Sequence, residues 1–267
     1  MNQIMDALKQ IQPRSPGCKD GANGLLMDAI DEVMASADIE SLRSVWTRYP
    51  MLHTASSFSR RMSARVRDNQ TISGLVRSQV IFDVMRHTYR TPDGKQLSGV
   101  TSLLRRQMFG EMYADVAPDV LAQAAEYGSN VHERIELHDT LGSDAADDEV
   151  IQAYCRIKAE NGLHTIANEY LVSDDEYIAS SIDILFDGYD LCDVKTSAQL
   201  DVNYVSWQLS IYAYLFERQN PTLKAGRLLA LWLPKPQYGR PRLVEVPRIP
   251  SGAIISLIES DKRGLQQ

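Results

Sequence analysis

Glu169 to Lys195 reads EYLVSDDEYIASSIDILFDGYDLCDVK, and this stretch decides the fold. Ile178 to Phe186 is apolar or small and rich in β-formers. Asp187-Gly188-Tyr189-Asp190 then supplies turn chemistry, and Leu191 to Lys195 is a second apolar run; together they predict a β-hairpin. By period-two alternation Asp183 shares a face with Ala179, Ser181 and Leu185, while Ile178, Ile182, Ile184 and Phe186 line the other. On the second strand Asp193 and Lys195 share a face, with Cys192 and Val194 opposite. A three-residue loop, Asp187 to Tyr189, places Asp183 directly across from Asp193, with Cβ atoms roughly 4.5–5.5 Å apart. Like charges in that position destabilise a hairpin unless something neutralises them. A divalent cation does so, and Lys195, one pleat away, is placed to act on an attacking water. A bare Asp-x-Lys is far more often a solvated surface ion pair, so the surrounding chain decides between the two.

Upstream, Pro118 to His138 gives the clearest helical pattern: Pro118 fits a first-turn position, and Val120, Leu121, Ala124, Val131 and Ile135 form the apolar stripe. Gly128, His132 and Glu136 follow at i, i+4 spacing on one face. Glycine there allows another backbone to come close, histidine can ligate a metal, and glutamate can orient it or bind through water. Glu149 to Glu160 reads as a helix stopped by Asn161-Gly162, and His164 to Val172 as a strand carrying Glu169. Beyond Lys195, Val202 to Glu217 is a predicted helix with Trp207, Ile211, Tyr214 and Leu215 at core spacing, and Gln208 and Tyr212 form an i, i+4 pair off that stripe. Gly226 to Leu233 and Leu243 to Val246 read as strands around a proline-rich turn with Lys235, Arg240 and Arg242; Ser251 opens a last helix.

Toward the N-terminus, Gln79 to Arg90 is an apolar, β-branched run followed by the turn Thr91-Pro92-Asp93-Gly94-Lys95, predicting a hairpin ahead of the core; Leu97 to Leu104 begins as a strand and becomes helical. Residues 1 to about 22 are polar and breaker-rich, a poorly ordered lead-in. Leu25 to Val66 is helical in pattern (Leu25, Ile30, Val33, Met34, Leu42, Val45, Trp46), with Ser36 or Asp38 as caps and a break at Pro50. Arg60, Arg61, Arg65 and Arg67 near its end fit a solvated helix face or a DNA-backbone contact equally well. The expected division is therefore a helical appendage over residues 1–78 and a main domain over 79–267.

At 267 residues, 44% hydrophobic and 24% charged, the chain can bury a sizeable core. A net charge of −7 argues against a generally basic nucleic-acid coat and leaves room for a local basic groove. Cys18, Cys155 and Cys192 are odd in number, scattered and outside any C-x-x-C pair, which points to neither a disulfide framework nor a metal cage and fits a reducing compartment. The first residues lack a signal-peptide core and no run approaches the ~18 residues of a membrane span, so the expectation is a cytoplasmic protein without a membrane partner. No phosphate-cradling glycine loop, G-x-S-x-G elbow or H-E-x-x-H helix is present.

Taken in order, Gly128-x-x-x-His132, Glu169, Ile182-Asp183, Asp193-Val194-Lys195 and Gln208-x-x-x-Tyr212 form a set that resembles the PD-(D/E)XK nuclease superfamily, most closely its RecB-like and phage-type exonuclease branch. The resemblance spans about residues 80 to 246. It implies an α/β, restriction-endonuclease-like core, a central mixed β-sheet flanked by helices, and DNA cleavage dependent on magnesium or manganese. By the same resemblance Asp183, Asp193 and the Val194 carbonyl are metal ligands, His132 is the helical ligand, Glu136 or Glu169 is its supporting carboxylate, Lys195 is the catalytic lysine, and Gln208 and Tyr212 line the DNA path. Three departures stand out: Asp193 where the branch usually has Glu, Ser180 or Ser181 where it often has Gly, and no cysteines for an iron–sulfur cluster. The implied partners are linear duplex or single-stranded DNA, a recombination partner protein and further copies of the chain. The rival reading is the same fold kept as a non-catalytic DNA-binding or assembly module.

Overall fold

A computed structural model of the protein describes residues 38–48, 56–69, 72–83, 86–142 and 148–264. The central element is a mixed sheet of eight strands flanked by helices: β1 (Ile81–Asp83), β2 (Thr88–Arg90), β3 (Gln96–Gly99), β4 (Thr165–Ser173), β5 (Ile178–Phe186), β6 (Leu191–Lys195), β7 (Leu228–Trp232) and β8 (Arg242–Glu245). The hairpin strands β5 and β6 have the bounds the sequence predicts, and the connector Asp187–Tyr189 closes as one 3-10 turn with Gly188 at φ 72°. That left-handed angle is what the glycine is for. The run Gln79 to Arg90 is not one strand: it divides into β1 and β2, which pair with each other before β2 turns through Thr91–Lys95 to pair with β3.

β5 is bordered along its whole length by antiparallel β4, which fills one edge. The other edge is shared: β3 runs parallel at Ile178 and Ala179, and β6 runs antiparallel at Ile184 and Leu185. Ser180 to Asp183 lie in the notch between these partners. The β5–β6 register carries Asp183 to the position opposite Asp193, but the ladder stops one pair short, and the Asp183 carboxylate accepts from the Val194 amide at 2.7 Å instead.

Strict alternation does not hold on β5. Ile178 and Ile182 enter the core shared with the helix after β6, and so does Leu185, whereas Ile184 and Phe186 do not. The side-chain period therefore slips by one residue at Asp183–Ile184. β4 slips at the same place, because Tyr170, Val172 and Ala167 share that core, and Glu169 there has a φ of 50°. A non-glycine residue in the left-handed region within a strand is strained. Matching slips on paired strands keep the register while turning two carboxylates out of the pleat.

β6, the helix α6 (Val202–Gln219) and β7 form a parallel crossover, with Asp201 capping α6 through the Tyr204 amide. The other helices are α1 (Ile39–Arg48), α2 (Ser56–Asn69), α3 (Val100–Gln107), α4 (Pro118–Leu141), α5 (Glu149–Asn161) and α7 (Ser251–Gly264). α5 is capped by Asp148 and stopped by Gly162 in the left-handed conformation. Among the described residues no helix is long and apolar enough to cross a membrane.

The chain divides into two units, Met1–Thr71 with Glu133–Asp147, and Ile72–His132 with Asp148–Gln267. The division falls at 71/72 rather than 78/79, and the second half of α4 goes with α1 and α2. In that first unit Leu42, Trp46, Met62 and Val66 are buried with Ile135 and Leu141. The lead-in, the positions Leu25 to Ser36 and Pro50, and the side chains of Val45, Arg61 and Arg65 lie outside the described residues.

Candidate metal centre

Three side chains from three elements converge. His132 comes from α4, Glu169 from the strained point of β4, and Asp183 from the notch of β5; one ligand atom from each lies within 4.8 Å of the other two. His132 Nδ1 is 3.5 Å from Asp183 Oδ2 and 3.7 Å from Glu169 Oε1. Its other nitrogen, Nε2, lies 3.1 Å from the Val194 carbonyl. A neutral imidazole that donates from Nε2 to that carbonyl leaves the Nδ1 lone pair facing both carboxylates, which is how metal-ligating histidines are fixed. Ligands about 2.1 Å from a common ion stand roughly 3.0–3.4 Å apart. The two histidine–carboxylate separations need to close by only a few tenths of an ångström.

Electrostatically the cluster crowds carboxylates around one imidazole. Burial, with Asp193 and Glu169 nearby, raises Asp183 to about 7 despite His132 and Lys195. For His132 burial works against the charged form, but Asp183 and Glu169 outweigh it and hold its pKa near 9. The ion-free site thus retains protons that a cation would displace. Ser181 Oγ donates to Glu169 Oε2 at 2.7 Å and fixes that carboxylate.

Lys195 stands beside the cluster in a chain of its own. Its Nζ is 2.6 Å from Asp193 Oδ2, an ion pair by distance without hydrogen-bond geometry, and it donates to Gln208 Oε1 at 3.0 Å. Gln208 Nε2 in turn donates to the Tyr212 hydroxyl at 2.7 Å. Burial lowers the lysine and the Asp193 and Asp183 charges raise it; the charges win, so the amine stays protonated. A Cβ at Gly128 would lie 3.3 Å from Thr196 Oγ1, one residue past Lys195, so the neighbour that comes close there is a side-chain hydroxyl and not the expected backbone.

Several expected roles are redistributed. Asp193, almost wholly buried, neutralises Lys195 instead of joining the triad. The Val194 carbonyl is engaged by His132. Gln208 and Tyr212 are buried and hydrogen-bonded in line with Lys195. Glu136 is corrected outright: Arg67 binds its carboxylate with both nitrogens at 2.7 and 2.8 Å, and Ser63 donates to it as well. Its i+4 relation to His132 puts both on one helix face without giving them the same neighbours. The same pairing removes Arg67 from the proposed basic face. Two features escape the sequence reading: Ser181 as the holder of Glu169, and Tyr204, whose ring lies 5.8 Å from Lys195 Nζ. The first was legible only once the β4–β5 register made Ser181 a diagonal neighbour of Glu169.

No protein-family model and no curated protein matches this chain. Among solved structures it is similar to the one titled "Crystal structure of SSO0001", with 15% identity and a TM-score of 0.37 over 62% of this chain and 75% of that one. A likeness at that level carries no argument about activity.

Proposed function

We propose that the protein is a metal-dependent phosphodiesterase acting on DNA, a nuclease with a PD-(D/E)XK, restriction-endonuclease-like core. The observation that carries this reading is the juxtaposition of the His132, Glu169 and Asp183 ligand atoms, all within 4.8 Å, with the Lys195 amine on the next strand. A mixed nitrogen and carboxylate donor set fits magnesium or manganese, with the imidazole favouring manganese. When bound, such an ion neutralises a phosphodiester and makes hydroxide accessible at neutral pH.

His132 would hold it through Nδ1, and Glu169 and Asp183 through one oxygen each. Glu169 is locked by Ser181, and His132 by Val194, so the donors are oriented before the ion arrives. Lys195 is braced by Asp193 and Gln208, and the carboxylate charges raise its pKa, which favours the ammonium form. Its ammonium is suited to stabilising negative charge that develops on the phosphate or the leaving oxygen. Asp193 is the carboxylate that keeps that proton in place.

The test is digestion of end-labelled linear duplex, single strand and closed circular DNA with manganese, comparing the parent protein with Lys195→Ala. Loss of cleavage in the variant with manganese binding retained is expected. Undiminished cleavage would remove the mechanism, and binding of DNA without any cleavage by the parent would favour a non-catalytic module.

A further inference from the structure

The β7–β8 connection, Leu233 to Pro241, has no part in the cluster, yet it starts beside Lys195, whose carbonyl accepts from the Leu233 amide at 2.7 Å. Trp232 closes β7 as the register partner of Lys195, and its indole Nε1 donates to the Ser197 carbonyl at 2.9 Å. A Cβ at Gly239 would stand 2.7 Å from the Trp232 ring, so the loop backbone lies on the indole where only glycine fits. Lys235 Nζ sits 4.7 Å from the Tyr127 ring centroid, one residue before Gly128 on the helix that presents His132. Arg242 covers the Trp232 ring at 4.8 Å.

Lys235, Tyr238, Arg240 and Arg242 are all exposed, and no acidic residue occurs between Leu228 and Val244. Among the described residues no carboxylate forms a salt bridge with any of these three cations. In a chain of net charge −7 this is a local excess of unneutralised positive charge, fixed beside the lysine of the candidate site.

We propose that this loop is a single-strand DNA subsite, in which Lys235, Arg240 and Arg242 contact backbone phosphates and Tyr238 stacks a base next to the site at Lys195. The proposal rests on the nuclease reading for its direction, because the strand it holds is the one led to Lys195. Cations interleaved with aromatic rings suit a flexible polyanion with π-faces better than an acidic peptide, which offers charge without stacking.

The experiment is fluorescence anisotropy of the full chain with labelled oligothymidylate in EDTA across a salt series. The Lys235→Gln/Arg240→Gln variant, which keeps Arg242 on Trp232, should lose about 1.4 from the slope of log affinity against log salt, ~0.7 per cation. Tyr238→Ala should weaken binding roughly fivefold or more with the slope unchanged. An unaltered slope in the double variant, no binding by the parent, or competition by polyglutamate equal to that of oligothymidylate would each overturn the subsite.

Manganese-supported hydrolysis of bis(p-nitrophenyl) phosphate separates the two readings. This small diester needs no strand path, so the double variant should hydrolyse it at the parental rate. An equal loss there would place the damage in the site and overturn the subsite. A parent that hydrolyses nothing would remove the nuclease reading, while the salt slopes still decide the loop.

Discussion

Asp183→Asn removes one negative charge from the cluster and keeps an oxygen able to accept from the Val194 amide, so the strand geometry is expected to survive. Its main effect should fall on His132. Two unit charges 3.5 Å apart attract by about 4–5 kcal/mol at an effective dielectric near 20. The histidine side chain is 27% exposed, so solvent screens part of that, and Glu169 remains 3.7 Å away. About half should be lost, which corresponds to ~2 pKa units. The ring of the ion-free parent should titrate near 9 and that of the variant near 7, read by nitrogen-detected NMR of the imidazole. A parental His132 that titrates near 6.5, or a variant that shifts by less than half a unit, would refute the placement of this carboxylate against Nδ1.

The same groups set a pH dependence. Both folded pKa values are raised, His132 to about 9 and Asp183 to about 7, so their protonated forms stabilise the ion-free fold. That contribution is complete below their ordinary values and is lost as pH rises through about 7 and then about 9. Manganese competes with those protons, so its affinity should rise ~tenfold per pH unit between 7 and 9, with about one proton released per ion by calorimetry in two buffers; no release would contradict the ligand set. Ser181→Ala frees Glu169 and should weaken manganese binding roughly tenfold or more without altering the His132–Val194 contact, whereas unchanged affinity would show that the hydroxyl does not position the ligand.

The hairpin and its helices were readable because their signals are local: an Asp-Gly-Tyr turn between two apolar runs fixes β5 and β6, and Asn161-Gly162 stops α5. The β5–β6 register, with Ile184 opposite Cys192, also follows from loop length and directs Asp183 toward the position across from Asp193. What the pattern could not give is non-local. Parallel pairing of β3 with the first residues of β5 opens the notch at Ser180–Asp183, and no periodicity in either segment announces it. The slip of alternation at Asp183 is tied to the backbone of Glu169 on another strand. It replaces the expected pair of facing aspartates by a triad with Glu169, and it leaves Asp193 to Lys195. Glu136 shows the limit of helical spacing, which names a face and not the arginine that occupies it.

Crystals grown with manganese and measured at a wavelength where it scatters anomalously test the assembled centre most directly. One peak about 2.0–2.3 Å from His132 Nδ1 and from carboxylate oxygens of Glu169 and Asp183, with His132 Nε2 still on the Val194 carbonyl, is the predicted result. No peak among these three residues, or an ion held by His132 through Nε2, would contradict it.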